Sequence, residues 1–203
     1  MAPGVSPRRD RYAAQTRAAI IRAARRQFAA GGFPSTSIDD VANTAKVSKG
    51  AVYHHFEDKQ ALFEAVFRES QIAVMQTVRE QSSTQASPGG RVEAGIRGMF
   101  LAYDQPAARA LLLQAPAALG VDRVRALDQE LSLPMVQATI ESFANPRPAV
   151  PALAARLLFV ALCEVATAAA EGTVTSEEAI QTVLCIARGL GLPTETAGPR
   201  KAN

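Results

Sequence analysis

Apolar positions fall at helical spacing in one segment of this chain after another. Ile20, Ala24 and Phe28 share one side of a helix predicted over 12–30, and Gly31-Gly32 forms its stop. Ile38, Val41, Ala42 and Ala45 then mark one face of a short helix over 38–44. Ser37 is placed to cap that helix, with Asp40 three residues on as the capping-box acid. Lys46-Val47 reads as a turn, with Val47 as an apolar plug, and Ser48 caps a second short helix over 49–56. The inner face of this second helix is Val52 and Phe56. Its outer face is Lys49, Gly50, Tyr53 and His54, with Ala51 and His55 beside them. Two helices this short, joined by so tight a turn, match the helix-turn-helix pattern, whose second helix lies in the major groove of DNA.

The helical period continues beyond that pair. Asp58 caps a long helix over 58–81 with Leu62, Phe63, Val66, Phe67, Val74 and Val78 on its apolar faces. Residues 82–90, rich in Ser, Thr, Pro and Gly, read as a loop. Helices follow over 91–104 and 106–114, then a region over 117–143 weakened by Gly120 and Pro134. The prolines of 145–151 make a connection, and two last helices cover 152–171 and 176–189, the latter with Ser176 as its cap. The pattern predicts an all-α protein of about nine helices. A three-helix head over 12–57 precedes a larger helical body over 58–192. Residues 1–11 and 193–203 read as loose tails; Arg8, Arg9 and Arg11 serve either as a minor-groove arm or as a solubilising segment.

The outer face of the second short helix carries chemistry suited to DNA. Lys49 can reach a phosphate or a guanine edge. Gly50 and Ala51 are nearly bare, so the helix backbone can come close to the groove floor. Tyr53, His54 and His55 offer donors to phosphates. Lys59 points a further cation the same way. Charge agrees: residues 1–60 hold ten Lys/Arg and five Asp/Glu, a net +5, whereas residues 61–203 net −2. A basic third attached to a mildly acidic remainder suits a DNA-reading head on a sensing body.

The run T-S-I-D-D-V-A-x-x-A-x-V-S-K-G-A-V-Y-H-H-F-x-D-K-x-x-L-F resembles the TetR/AcrR family of one-component bacterial repressors, over roughly residues 14–74. That resemblance implies a homodimer, with an N-terminal head on double-stranded operator DNA and a C-terminal domain that binds a small effector and dimerises. It assigns the recognition helix to 48–56, with Lys49, Gly50, Tyr53 and His54 facing DNA and Ser37 and Lys59 at phosphates. It also puts an effector pocket inside the later helices, lined here by Met75, Met99, Phe100, Tyr103, Leu112, Gln114, Leu119 and Phe159. Core packing explains each of those eight residues equally well. Many aliphatic and few aromatic residues lean towards an apolar effector. The last two helices, too apolar for solvated surfaces, carry the dimer expectation, alongside a share of intrachain core.

Other classes find less support in the sequence. The only histidines, His54 and His55, lie in the recognition helix, and no phosphate-binding G-x-x-x-x-G-K-[ST] or nucleophile-elbow G-x-S-x-G occurs. No enzyme activity, cofactor or metal site is expected. Cys163 and Cys185 read as small buried hydrophobes. The N-terminal stretch lacks the apolar core of a signal peptide, and no run of uninterrupted apolar residues reaches membrane-spanning length. The expectation is a cytoplasmic regulator without a membrane partner, most naturally a repressor released by an effector. A regulator of the same fold that needs no effector is the alternative.

Overall fold

Residues 7–195 are described by the computed structural model, and side-chain surroundings from Arg11 onward. They form ten helices and, among the described residues, no strand: α1 Pro7–Ser35, α2 Ile38–Ala45, α3 Lys49–His55, α4 Lys59–Ser83, α5 Pro88–Tyr103, α6 Pro106–Leu119, α7 Val121–Leu131, α8 Leu133–Phe143, α9 Pro151–Glu171 and α10 Ser176–Gly189. The count exceeds the expected nine because the weak region over 117–143 divides where its two breakers stand. Gly120, with φ at 83°, ends α6 at Leu119, and Pro134 sits in the first turn of α8.

Two compact units result, one of Met1–Ser70 with Pro106–Val124, the other of Gln71–Gln105 with Arg125–Asn203. The division does not follow the expected boundary after Glu57. Instead α6 joins the first unit, and the unit boundary falls within the unbroken α4.

In the first unit, α1 packs on α2, α3 and α6 around Ile20, Ile21, Ala24, Phe28, Val41 and Val52, none of which is exposed. Phe28, Phe33 and Phe63 meet with ring centroids 5.1–5.9 Å apart, two of the three pairs edge-on as aromatic quadrupoles prefer. The first helix starts at Pro7 rather than residue 12, which corrects the expected tail for residues 7–11; residues 1–6, and the side chains of Arg8 and Arg9, lie outside the described residues. It also runs past the expected stop, bending at Gly32, whose φ of 80° only glycine adopts without strain. The bend exposes backbone groups, and α6 serves them. Gln114 Oε1 accepts from Phe33 N at 2.7 Å, and its Nε2 donates to Phe28 O at 3.1 Å.

In the second unit, α9 packs against α8 and α10, and α10 against α5. Its core includes Leu127, Ile140, Ala155, Leu158, Val183 and Ala187. The expected loop over 82–90 is partly helix. Ser87 caps α5 by accepting from Gly90 N at 2.9 Å, Pro88 occupies a first-turn position where its missing N–H costs nothing, and Gly89 and Gly90 are buried. Those glycines answer to packing, because a Cβ on Gly89 would lie 3.2 Å from the Thr194 backbone. Residues 193–195 are therefore packed, correcting the expected loose tail there, while 196–203 lie outside the described residues. The cap of α10 is Thr175, in a capping box with Glu178, one residue before the expected Ser176. Helix α9 is long and apolar enough to span a bilayer, with mean hydropathy 1.8, yet it carries Arg156 and Glu164 and has three helices, α5, α8 and α10, packed against it. Cys163 is half-buried and Cys185 is exposed, so the reading of both as buried hydrophobes fails for Cys185.

Candidate nucleic-acid interface

The α2–turn–α3 segment is fixed almost entirely by its own caps. Ser37 Oγ accepts from Asp40 N at 3.1 Å, and Asp40 Oδ2 accepts from Ser37 N at 3.1 Å, closing the capping box expected from the spacing. These bonds, the Ser37 hydroxyl first among them, hold the Asp40 carboxyl below its usual pKa. Lys46 ends α2 in the left-handed region with φ at 57°, and Val47 N donates back to Ala42 O at 3.0 Å. Ser48 then caps α3 by accepting from Ala51 N at 3.1 Å.

The two faces of α3 divide as the sequence predicts. Val52 is fully buried and Phe56 nearly so, while Lys49, Gly50, Tyr53 and His54 are exposed and Ala51 and His55 half-buried. A Cβ on Gly50 would meet only Ser48 Oγ, at 3.9 Å, so nothing in the fold demands glycine there. Lys49 Nζ donates to Asp39 Oδ2 at 2.8 Å, and this bond raises the lysine pKa. The exposed carboxylate thus occupies a position on the ammonium that a phosphate oxygen can take over, an exchange between two solvent-screened partners. His54 and His55 lie edge to face at 5.3 Å. Burial, then the neighbouring His54 and Arg17, push the His55 pKa down, which favours a neutral imidazole.

Lys59 departs from the expected phosphate contact. Its ammonium donates to Phe33 O at 2.9 Å, Thr36 O at 3.1 Å and Pro34 O at 3.3 Å, and it lies 4.5 Å from the Phe33 ring centroid. An ammonium has three hydrogens, so these carbonyls use its donor capacity. A lysine at the first position of α4 also opposes the helix dipole, a cost that the carbonyls at the end of α1 offset. Ser37 is exposed as a phosphate contact requires, although its hydroxyl is already shared with Asp40.

Sequence reasoning missed Arg17, whose guanidinium lies 5.3 Å from the Phe56 ring and puts a cation beside the end of α3, and it missed Asp39 as partner of Lys49. Only the adjacency of Asp39 to the capping acid hinted at the second, and nothing in the α1 pattern singled out Arg17.

The eight candidate effector residues are divided between the units. Met75, Met99, Phe100, Tyr103 and Phe159 belong to the second, and Leu112, Gln114 and Leu119 to the first. Gln114 departs from a pocket role, since both ends of its amide are engaged with α1. A cavity of about 310 Å³ in the second unit is lined by other residues, Phe143, Asn145, Arg188, Gly191, Leu192 and Pro193.

Residues 20–66 match the model of the bacterial regulatory proteins of the tetR family. Over 65 residues the chain is 37% identical to the HTH-type transcriptional regulator UidR of Escherichia coli K12, a match covering 32% of this chain and 33% of that protein. Over 74 residues it is 34% identical to the HTH-type transcriptional repressor AcnR of Corynebacterium efficiens, covering 36% and 39%. The match thus spans a third or slightly more of these curated relatives' length. A crystal structure of a TetR-family transcriptional regulator from Pectobacterium atrosepticum superposes over 88% of this chain and 95% of that one, with a TM-score of 0.75 and 26% identity.

Proposed function

Because the chain belongs to the tetR family of bacterial regulatory proteins, we propose that it is a sequence-specific DNA-binding repressor released from a palindromic operator by a small effector. The observation that carries the DNA-binding part is Gly50. A glycine inside a helix costs roughly 0.5–1 kcal/mol relative to alanine, and no neighbouring atom in the protein requires it. A bare, exposed position between Lys49 and Tyr53 is what close approach of α3 to a groove floor calls for. Gly50→Ala is expected to leave the melting temperature equal or higher while weakening operator binding, read by fluorescence anisotropy on a sequence selected from a random DNA library. Unchanged binding would remove α3 from the interface.

The same reading assigns dimerisation to α9 and α10. Leu153, Leu157 and Val160 recur along one side of α9 with more than half of each side exposed, and Ile186 of α10 adds to them. A partner copy covers such a stripe in a four-helix, two-fold arrangement. Light scattering is expected to give twice the 21.5 kDa of the single chain, and a monomer would refute the assignment. Two heads then present their α3 helices about 34–36 Å apart to fit successive major grooves. An effector that binds better to a state with another spacing releases the DNA without touching it, and by linkage the operator weakens effector binding by the same factor. The protein acts in the cytoplasm, where operator DNA lies.

A further inference from the structure

The second unit holds a group of polar side chains that the DNA-binding reading leaves unused. Gln71 of α4 is 4% exposed, and its Oε1 accepts from Tyr103 Oη of α5 at 2.8 Å. That bond turns the other end of the amide, Nε2, towards Asp128 Oδ1 of α7, at 3.5 Å. Cys163 of α9 lies near enough that its thiol and Asp128 both push the Tyr103 pKa up, and Asp128 that of Cys163, each after burial. Four helices thus contribute one polar group each to one place.

The group is unbalanced. An ionised carboxylate can accept about four hydrogen bonds, and Asp128 receives from Gln71 a single long one. Among the described residues no lysine or arginine pairs with it. Asp128 is half-buried, and carboxylates drawn partly out of water are ordinarily paired or richly hydrogen-bonded. Burial lifts the Asp128 pKa to about 6 and that of the Cys163 thiol to about 12, so near neutral pH the carboxylate is charged and the thiol is not. The surroundings are apolar and adaptable. Met75 follows Gln71 by one turn of α4, Met99 precedes Tyr103 by one turn of α5, and Phe159 precedes Cys163 by one turn of α9, each on the same side as its polar neighbour.

We propose that Gln71, Tyr103, Asp128 and Cys163 form the polar end of the effector site and that the effector is an apolar molecule carrying a cationic amine. This rests on the effector-controlled reading above. An ammonium supplies both what Asp128 lacks, a positive charge and several donors, whereas an anionic head is repelled and a neutral head leaves the carboxylate without a counter-charge. The tail lies against the methionines and Phe159.

The test uses the full chain with primary alkylamines of about six to ten carbons, and the alcohols and carboxylates of matching length. Binding is measured by thermal shift and calorimetry on the wild type and on Asp128→Asn, which keeps the shape and removes the charge. The amines are expected to bind best, and Asp128→Asn to lose roughly tenfold or more of amine affinity while alcohol affinity is unchanged. Equal binding of all three head groups, or amine binding indifferent to Asp128→Asn, overturns the proposal. Operator release by the same probes separates it from its premise. Amines that bind through Asp128 and leave the operator complex intact keep the site and refute effector control. Alcohols or carboxylates that release the operator while amines do not bind keep effector control and refute the amine.

Discussion

The two compact units distribute polar and apolar groups in opposite ways. In the first, the interior is aliphatic and aromatic, built on Phe28, Phe63 and Val52, and the charged groups of α2 and α3 stand outside. In the second, a carboxylate lies half-buried without a cation paired to it, while Leu153, Leu157 and Val160 face outward. The charged side chains of α2 and α3 stand on the surface of the first unit, where an outside partner can reach them. On the reading proposed above, the outward leucines of the second unit meet a partner copy and its carboxylate meets a donor-rich ligand. The contrast suits the proposed division into a reading head and a sensing, dimerising body.

The strongest way to break that contrast is to put a charge into the first unit. Val52→Asp places a carboxylate where the native side chain is fully buried in an apolar core, at a cost on the order of 4 kcal/mol or more. Circular dichroism melts are expected to show the head unfolded at temperatures where the wild type is folded. A stable variant would mean that this interior takes up polar groups as the second unit does.

Removing the charge from the second unit is expected to do the reverse. Asp128 is lifted from 3.8 to about 6 by burial. The unfolded chain therefore releases this proton at lower pH than the folded one, and stability falls as pH rises from about 4 to 6, then levels off. At about 1.4 kcal/mol per pKa unit, and allowing for partial exposure, the loss is on the order of 2 kcal/mol. Tyr103 and Cys163, pushed upward, stay neutral through that window and Gln71 does not titrate. His55, Asp40 and Glu178, whose pKa values are lowered, contribute slopes of the opposite sign, so the Asp128 part is the difference between the wild type and Asp128→Asn. Asp128→Asn is expected to abolish that slope and to be more stable than the wild type at pH 7 in urea titrations. A slope that survives the substitution would assign it to other carboxylates.

Lys59 sharpens the comparison within the first unit, by separating a cation that holds the fold from cations that meet DNA. Lys59→Ala removes three hydrogen bonds to the end of α1 and is expected to cost about 2 kcal/mol of stability. Below the melting region of the variant, the dependence of operator affinity on salt is expected to keep its slope, whereas Lys49→Ala reduces it by roughly one unit. A slope lowered by Lys59→Ala with stability intact would restore Lys59 to the phosphate contacts.

The same contrast explains what the sequence revealed. The ends of α2 and α3 are readable to within a residue because Ser37, Asp40 and Ser48 act on backbone a few positions away, and the buried and exposed sides of α3 follow from its period. Pro88-Gly89-Gly90 misled because the same letters break a chain in water and open a helix when Thr194 packs on them. Lys59 and Gln114 misled for a related reason: their partners lie 23–26 and 81–86 residues away. Tyr103, Met75, Met99 and Phe159 were singled out, but Gln71 and Asp128 were not, since isolated polar residues in amphipathic helices read as solvated until their helices are brought together, and Cys163 read as a small buried hydrophobe.

The smallest effect tests the reading face itself. Tyr53 is 48% exposed on α3, whereas Val52 beside it is fully buried. Tyr53→Phe removes one hydroxyl and leaves the helix, its caps and its inner face as they were. The melting temperature is therefore expected to be unchanged, because the folded protein gives this hydroxyl no part in its core. Operator affinity is expected to fall by about 1 kcal/mol, the usual worth of one hydrogen bond, with the salt slope preserved because no charge is lost. Both quantities come from the same preparation, by calorimetric melting and by anisotropy at several salt concentrations. If Tyr53→Phe melted early and bound normally, the hydroxyl would be part of the fold, and the division of α3 into an inner and a DNA-facing side would have to be redrawn.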